Sequence, residues 1–370
     1  MESLRIRIRD SQRVFETAKK KFDTDSSIND HNKQLMTKYI RDAKLGKTVI
    51  NKRKKKIGYE TLNCYLLHLQ HLIHYCKKDL DTLTQDDMEH FIEALDDDVI
   101  RSRKFARTKD GRQVRCNDVL SEQYKTNIKK NIKKFYKWLW GNNRQYPSIV
   151  EWIDTYYSKK HVQPLTEEDV NCMRDYCRTP RDRALIQTLF EAGTRITEHL
   201  SIRLEGVQFV KRDQEQNHVQ NKWDFVVLQI TESKTVIRPV WLGKKHSIKD
   251  LIRWLECHPA KPEISQDGTL ATAYPEAALF PMSYDSARIT VGSVGARALN
   301  QRVYPHLLRH SGATYDAANG ASHFDICKKY GWDLTSDVPK QYIDRAGLNA
   351  KAIAQMHQQR ERISDKQTSS

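Results

Sequence analysis

The spacing of the apolar residues changes between the two halves of this 370-residue chain. In the first half, apolar residues recur at helical spacing in the stretches Leu35–Ala43, Tyr59–Cys76, Met88–Leu95 and Tyr124–Leu139. In the second half, helical stretches alternate with two runs that have strand character, DFVVLQI and TVIRPVWL, on either side of the turn Thr231–Lys234. The pattern predicts an α+β protein in which an all-helical domain precedes a mixed α/β domain.

A polar segment without helical spacing separates these two patterns. It covers residues 157–165 and contains Pro164, and proline is typical of such breaks. The length of the chain also suits two domains, since one domain usually takes about 100 to 200 residues. We therefore expect a helical domain over residues 1–156, a linker over 157–165, a mixed domain over 166–350 and a polar tail over 351–370.

Capping pairs indicate where two of the helices begin. Thr84 with Asp87, and Thr166 with Asp169, have the spacing at which a side-chain oxygen and an acid satisfy the free amides of a helix start. Residues 261–303 contain three prolines and several glycines and serines, and for them the sequence predicts a loop with one short helix.

The charge of the chain restricts its partners. The formal net charge is +16 and the isoelectric point is about 9.4, so a polyanion is the expected partner, with nucleic acid ahead of an acidic membrane surface. No apolar run approaches the length that crosses a bilayer, and the first residues lack the apolar core of a signal peptide. These features predict a cytoplasmic, DNA-associated protein.

The cysteines indicate neither a disulfide framework nor a metal site. They are odd in number, seven, and none has C-x-x-C spacing. Cys257 and His258 are neighbours, but adjacent side chains on a regular element point apart. We expect reduced thiols, no metal and no cofactor.

Two groups of basic residues in the first half are candidate contacts for a phosphate backbone. A row of lysines on one helix could be a solvated face, yet a second basic run in the same domain favours DNA binding without sequence readout. The residues are Lys52, Arg53, Lys54, Lys55 and Lys56 ahead of the helix from Tyr59, and Lys125, Lys129, Lys130, Lys133, Lys134 and Lys137 opposite the apolar stripe of the fourth helix.

Arg195 is the first candidate catalytic residue in the second half. Gly193 is expected to end the helix RALIQTLFEA, which puts Arg195 on the turn into ITEHLSIRL, where it can face a cleft. Glu198 follows one helical turn later, so the alternative is a surface ion pair worth only tenths of a kcal/mol.

The segment HLLRHSGATYDAANG carries the next candidates. Pro305 suits the first turn of a helix, so His306 and Arg309 share a face at i,i+3 with His310 beside them at i,i+4. An H-x-x-R pair alone is weak evidence in a basic chain. Because Leu307 and Leu308 supply the apolar side, we expect the His and Arg to face away from the core.

Trp332 and Tyr342 complete the set. Gly331 is expected to end the next helix just before Trp332, whose indole could pack in the core or donate a hydrogen bond to a phosphate oxygen. Tyr342 follows ten residues later, after Pro339, and carries a phenol that could act as a nucleophile.

The order of these segments resembles the boxes of the tyrosine recombinase (phage integrase) family. GTRITEHLSIRL, HLLRHSGAT, YGW and PKQYID appear in family order, and SDVPKQYID and INDHNKQLMTKYI are similar to archaeal members. His199 departs from the usual E-L pair, and the spacing from Trp332 to Tyr342 differs by about one residue from the bacterial pattern, which leaves cis or trans action of the tyrosine open. The family positions are matched at Arg195, Lys234, His306, Arg309, Trp332 and Tyr342.

The resemblance implies a fold, a mechanism and partners. The fold would be a helical core-binding domain of SAM-like type followed by the catalytic domain. Tyr342 would attack DNA to give a 3′-phosphotyrosyl intermediate, with Arg195 and Arg309 stabilising charge on phosphorus. Lys234 would protonate the leaving 5′ oxygen and His306 would handle the tyrosine proton, while Trp332 supports the site. Double-stranded DNA would be bound by a homotetramer on two sites.

Several roles remain compatible with this sequence. Integration and excision of a mobile element is the leading hypothesis, and a Xer-like resolvase of chromosome or plasmid dimers is an alternative. A type IB topoisomerase would use similar Arg, Lys and Tyr chemistry without pairing two sites. A DNA-binding regulator without catalysis would require the complete residue set to be a relict.

Overall fold

The computed structural model divides into two compact units. It describes residues 10–49, 56–103, 105–107, 113–157, 163–211, 223–233 and 236–345. Of these, residues 10–157 form the helical unit, and residues 163–345 form the unit with the candidate catalytic residues, termed the catalytic unit. The predicted linker is therefore described only at residue 157 and at 163–165, and the predicted tail 351–370 lies outside the described residues.

The helical unit is built from the amphipathic stretches that the sequence predicts, with one further helix at the start and a short one at the end. Its capping residues act as expected, because Thr84 and Asp87 form a complete capping box. The elements are α1 (Ser11–Asp23), α2 (Asp30–Lys44), α3 (Tyr59–Cys76), α4 (Gln85–Asp96), α5 (Glu122–Leu139) and the short α6 (Ser148–Glu151).

Aromatic residues join three of these helices in one core. Tyr39 of α2 stacks on Tyr65 of α3, with ring centroids 5.4 Å apart, and meets Phe135 of α5 edge-on at 5.2 Å. All three side chains are almost completely buried. The faces that carry the apolar stripes therefore point inward.

A small antiparallel hairpin interrupts the helical unit between α4 and α5. It pairs β1 (Phe105–Arg107) with β2 (Gln113–Arg115). The sequence analysis predicted only helices here, because each strand has three residues and neither is long enough to show an alternating pattern.

The catalytic unit places helices against one antiparallel sheet with the order β3-β4-β5. The two runs predicted as strands pair with each other, from Val226 opposite Leu242 to Ile230 opposite Arg238. Helix α8 is buried along nearly its whole length and packs on α7, α10 and α12. The elements are α7 (Glu167–Asp175), α8 (Pro180–Ala192), α9 (Ile196–Leu200), β3 (Val207–Val210), β4 (Phe225–Ile230), β5 (Arg238–Leu242), α10 (Lys245–Glu256), β6 (Glu263–Ile264), β7 (Leu270–Ala271), α11 (Tyr284–Leu299), α12 (Pro305–Ala318), α13 (His323–Tyr330) and α14 (Lys340–Arg345).

Residues 261–303 are more regular than the sequence predicted. They contain the short pair β6 and β7 and the helix α11, which has 16 residues. Its start is capped by Ser283, and the prolines that suggested a loop all precede it.

The cysteines, His258 and the helices bear on the predictions about thiols, a metal site and the membrane. All seven cysteines lie within them, and none forms a disulfide. His258 uses both ring nitrogens on backbone groups, those of Ala278 and Ala260. Across the helices that the structure describes, none is both long and apolar enough to cross a bilayer.

Candidate active site

Arg195 sits at a sharp turn between two helices. Gly193 ends α8 in the left-handed conformation with φ of 60°, and a Cβ there would lie 2.2 Å from the ring of Tyr330. Arg195 then caps the start of α9. Its backbone N–H donates to Glu198 Oε2 at 3.0 Å, and its Nη1 donates to Glu198 Oε1 at 2.6 Å. The guanidinium is thus fixed by its own helix.

Glu198 is a shared anchor in the interior and not part of a surface ion pair. Its side chain is 2% exposed, and it also accepts hydrogen bonds from Ser233 Oγ at 2.8 Å and Arg238 Nη2 at 3.4 Å. Burial opposes its ionisation, but hydrogen bonds from Arg195 and Ser233 and the charge of Arg238 outweigh burial and hold the pKa of Glu198 below its usual value. The surface alternative for this pair is therefore wrong.

Arg309 is buried, contrary to the expectation that it faces away from the core. It is 1% exposed, and it donates from Nη1 to the carbonyl of Gly193 and from Nη2 to the carbonyl of Tyr330, each at 2.6 Å. Those carbonyls lie where α8 and α13 end, and helix ends leave such acceptors without an intrahelical partner. Two helix termini therefore account for the burial of a charged side chain.

The charge of Arg309 survives this burial. Desolvation lowers its pKa to about 10, with a further contribution from the charge of Arg195, so the guanidinium stays protonated at neutral pH. Its central carbon lies 4.9 Å from the ring centroid of Trp332 and 5.2 Å from that of Tyr330. The planar group is thus held on both its edge and its face.

Tyr342 is the end of a stack of three aromatic rings. Trp332 lies between Tyr330 and Tyr342, with centroid distances of 5.1 and 5.3 Å and interplanar angles of 13° and 7°. Tyr342 is 2% exposed, and its hydroxyl is hydrogen-bonded to Nδ1 of His310. The nucleophile predicted from the sequence therefore lies beside Trp332 and His310 of its own chain.

His306 lies at the surface, at the start of α12. Its ring is edge-on to that of His310, with centroids 4.3 Å apart. Partial desolvation lowers the pKa of His306, and the charges of Arg309 and Arg195 lower it further, so the neutral imidazole is favoured. The hydrogen-bond partner of the Tyr342 hydroxyl is His310 and not His306.

Ser233 and Arg238 also contact the site, although the sequence analysis did not single them out. Lys234 lies outside the described residues, whereas Ser233 just before it contacts Glu198. Arg238 on β5 is 6% exposed and donates from Nε to the carbonyl of Lys329 at 2.8 Å. The signal for Arg238 was a charged residue inside an apolar strand run, and the signal for His310 was its place one turn after His306.

The predicted DNA-binding lysines of α5 are more engaged with the protein than expected. The prediction for Lys125 is corrected, because its side chain is 3% exposed and its ammonium contacts Asp98 at 2.7 Å and Glu122 at 2.9 Å. It also donates to the carbonyl of Asp96 at 3.1 Å. Lys125 therefore ties α5 to the end of α4 and has no free face for a phosphate.

Three lysines further along α5 lie half-buried against neighbouring groups. Lys129 is ion-paired with Asp96 at 2.7 Å. Lys133 donates to two backbone carbonyls, those of residues 151 and 153, each at 2.8 Å. Lys134 donates to the hydroxyl of Tyr65 at 2.5 Å. Each could reach a phosphate only by sharing or exchanging these partners.

The other basic candidates are more accessible. Lys130 and Lys56 are exposed, and Lys137 is half-buried with its ammonium 4.7 Å from the ring centroid of Tyr146. Lys52, Arg53, Lys54 and Lys55 lie outside the described residues.

Comparisons with known proteins give one consistent result. No family model matches the chain. Tyrosine recombinase XerA of Saccharolobus solfataricus is 20% identical over 274 residues, which cover 74% of this chain and 79% of the relative. Tyrosine recombinase XerC of Shewanella oneidensis is 30% identical over 138 residues, which cover 37% of this chain and 39% of the relative.

Solved structures share the fold at low sequence identity. XerH site-specific recombinase bound to a difH substrate has a TM-score of 0.55 at 16% identity, covering 95% of this chain and 88% of that chain. A lambda integrase dimer bound to a COC′ core site has a TM-score of 0.53 at 12% identity, covering 85% and 78%. These matches show that the chain has the tyrosine recombinase fold, and its ordered sequence boxes around Arg309 and Tyr342 are similar to those of site-specific tyrosine recombinases.

Proposed function

We propose that this chain cuts and rejoins double-stranded DNA through a covalent bond between Tyr342 and a 3′ phosphate. One observation carries the proposal: the Tyr342 hydroxyl is held by His310 in a site where Arg309 and Arg195 are fixed by protein acceptors. A phenol beside preorganised guanidinium groups is suited to attack on a phosphodiester, because those groups can stabilise the charge that develops on its oxygens.

The proposed cleavage step balances without an external energy source. The Tyr342 Oη–phosphorus bond forms as the bond from phosphorus to the 5′ oxygen breaks. Lys234 gives a proton to the leaving 5′ oxygen, while the phenolic proton passes to a histidine of α12. Rejoining reverses these steps, because the phosphotyrosyl bond conserves the energy of the broken one.

We propose that Tyr342 acts in cis. It is supported by the stacking of Tyr342 on Trp332 and its hydrogen bond to His310 in the same chain. Mixing Tyr342→Phe with Arg309→Lys tests this directly. Cis action predicts no recovery of cleavage in the mixture, because neither chain has a complete site. Recovery toward a quarter or more of the wild-type yield would indicate that tyrosine is donated between chains.

We further propose that four copies act on two DNA sites. Support comes from the fold shared with a lambda integrase tetramer bound to a Holliday junction, which has a TM-score of 0.54 at 12% identity. Integration and excision of a mobile element is the biological role we propose, on the similarity of the segment around Tyr342 to archaeal integrases. Sedimentation of the protein on a single site and on paired sites would test the tetramer.

A covalent trapping experiment tests the proposed chemistry. Target sites are first selected from genomic fragments by binding to Tyr342→Phe, and a nicked suicide duplex of the selected site is then incubated with each protein. We expect a covalent adduct with the wild type, including in EDTA, since Arg195, Arg309 and Lys234 supply the positive charge. Tyr342→Phe should bind the duplex equally well and form no adduct. An adduct that persists in Tyr342→Phe would overturn the proposal.

A further inference from the structure

Two histidines one turn apart on α12 have different surroundings. His306 is exposed at the start of the helix, whereas His310 is partly buried, with its ring 5.5 Å from that of Tyr342 and its Nδ1 hydrogen-bonded to the Tyr342 hydroxyl. The H-x-x-R pair of the family box is His306 and Arg309, and His310 follows that pair in the same segment HLLRHSGAT. The atom that must lose a proton during attack is therefore in contact with the second histidine.

The contact is fixed from both sides. On one side, Arg309, the residue before His310, is tied to the carbonyls of Gly193 and Tyr330, which fixes the second turn of α12. On the other side, the Tyr342 ring is stacked on Trp332, and its backbone N–H donates to the Pro339 carbonyl at 3.0 Å as α14 begins. These contacts hold the helix turn that carries His310 and the ring of Tyr342 close together.

We propose that His310 is the catalytic base that takes the phenolic proton of Tyr342 during cleavage and returns it during rejoining. This inference rests on the proposed function and reassigns to His310 the role that the sequence motif gave to His306. As the Tyr342 Oη–phosphorus bond forms and the bond to the 5′ oxygen breaks, the phenolic proton moves to His310 Nδ1 and Lys234 protonates the 5′ oxygen. In rejoining, the imidazolium of His310 protonates the departing phenolate.

The local charges favour the tautomer that this step needs. A neutral imidazole with its proton on Nε2 leaves Nδ1 as an acceptor, so the phenol donates to it. Arg309 and Arg195 place positive charge beside this face of α12, and at the neighbouring His306 the same charges lower the pKa. An acceptor at Nδ1 is therefore compatible with the field of the site.

The alternative is that His310 only positions Tyr342, and the variant His310→Asn separates the two roles. The side-chain oxygen of asparagine can occupy the place of Nδ1 and accept the same hydrogen bond, but it does not take up a proton at neutral pH. With the nicked suicide duplex, we expect His310→Asn to cleave about 10²-fold more slowly, as expected for loss of a general base. A rate within threefold of wild type would show that positioning suffices and would overturn the inference.

A change in the nucleophile gives an independent readout. Placing 3,5-difluorotyrosine at position 342 supplies a phenol that ionises at lower pH and needs less help from a base. We expect it to raise the cleavage rate of His310→Asn by at least about tenfold and that of the wild-type background much less. Absence of this rescue would contradict the assignment of His310 as the base.

Leaving-group chemistry provides the opposite control. A 5′-bridging phosphorothiolate makes the leaving group independent of a general acid, so it should rescue Lys234→Ala and leave His310→Asn slow. Rescue of His310→Asn by this substrate would place His310 on the leaving-group side and overturn the inference. DNA binding and thermal unfolding of each variant establish that it is folded, and His310→Gln replaces His310→Asn where the latter is not.

Failure of this inference is distinguishable from failure of the proposed function. Should the wild type form no adduct at Tyr342, the proposed function itself fails. An adduct in the wild type together with an undiminished rate in His310→Asn leaves the proposed function in place and removes only the role of His310.

Discussion

In the catalytic unit, three arginines are held by one shared carboxylate and by backbone carbonyls at helix ends, whereas in the helical unit five lysines of α5 contact acidic side chains, backbone carbonyls and tyrosines. Arg195 and Arg238 share Glu198, and Arg309 bridges the ends of two helices. Because a guanidinium is planar and rich in N–H donors, protein acceptors can fix it while other donors remain for a phosphate. An ammonium such as that of Lys133 spends most of its donors on the contacts that fix it. The comparison separates cations arranged for chemistry from cations that mainly join helices.

Removing the shared carboxylate should have the largest effect on the catalytic unit. We expect Glu198→Ala to lower its free energy of unfolding by about 3–5 kcal/mol, because Arg238 and Arg195 lose a buried partner. Denaturant unfolding checks this, with Glu205→Ala on the exposed side of the same region as the matched control. A loss below about 1 kcal/mol would mean that the arginines are held mainly by other groups.

Arg309→Lys tests whether geometry, beyond charge, distinguishes the arginines. A lysine keeps the positive charge but cannot contact the carbonyls of Gly193 and Tyr330 and also present donors to a phosphate. We expect the cleavage rate to fall about 10²–10³-fold with little change in DNA binding. Arg302→Lys, a conservative change at an exposed position nearby, should leave the rate unchanged. Activity of Arg309→Lys within threefold of wild type would remove the distinction between the two sets of cations.

A buried histidine in each unit should make both units sensitive to acid. Burial lowers the pKa of His199 to about 3 and that of His68 to about 4. Below about pH 6.5 the unfolded chain takes up a proton that the folded chain does not, so stability is present at neutral pH and falls as pH falls. At pH 5 each histidine should cost about 2 kcal/mol relative to pH 7.

Hydrogen exchange can assign this loss to each unit separately. We expect His199→Asn to reduce the acid effect in the catalytic unit alone and His68→Asn to reduce it in the helical unit alone. Equal acid sensitivity in the variants and the wild type would mean that other groups control the response.

The smallest expected effects on stability and DNA binding come from substitutions at two lysines of α5, Lys125 and Lys130. Lys125→Gln should lower the stability of the helical unit by about 1 kcal/mol, because its partners Asp98 and Glu122 are partly solvated, and should not change the salt dependence of DNA binding. Lys130→Gln, at an exposed position, should leave stability unchanged and flatten the slope of log affinity against log salt by about 0.9 if it contacts one phosphate. The reverse pattern would restore the predicted role of Lys125.

The comparison also explains which features could be predicted from the sequence. Local signals were sufficient where one residue fixes one geometry: Gly193 and Gly331 end α8 and α13 in left-handed conformations, and Pro305 starts α12. These fixed points place Arg195 at the start of α9 and Arg309 in the second turn of α12, while the catalytic roles of both arginines and of Tyr342 stay predictions.

Long-range partners could not be read in this way. The burial of Lys125 depends on Asp98, and the burial of Arg238 depends on Lys329 and Glu198, which are distant in the sequence. The contact of His310 with Tyr342 depends on the packing of α14 on α12, which the local sequence does not indicate. A run of basic residues indicates a net field but does not indicate which side chains will find acceptors within the protein.

Mapping the covalent adduct tests the central claim most directly. Tyr330, the other tyrosine near the site, is fully buried, its hydroxyl donates to Asp316 at 2.9 Å, and burial raises its pKa well above the usual value. Trypsin separates the two candidates, because Tyr342 falls in the peptide QYIDR and Tyr330 in YGWDLTSDVPK. After trapping on the suicide duplex and nuclease digestion, mass spectrometry should find the nucleotide on QYIDR. A nucleotide on any other peptide would contradict the assignment of Tyr342 as the nucleophile.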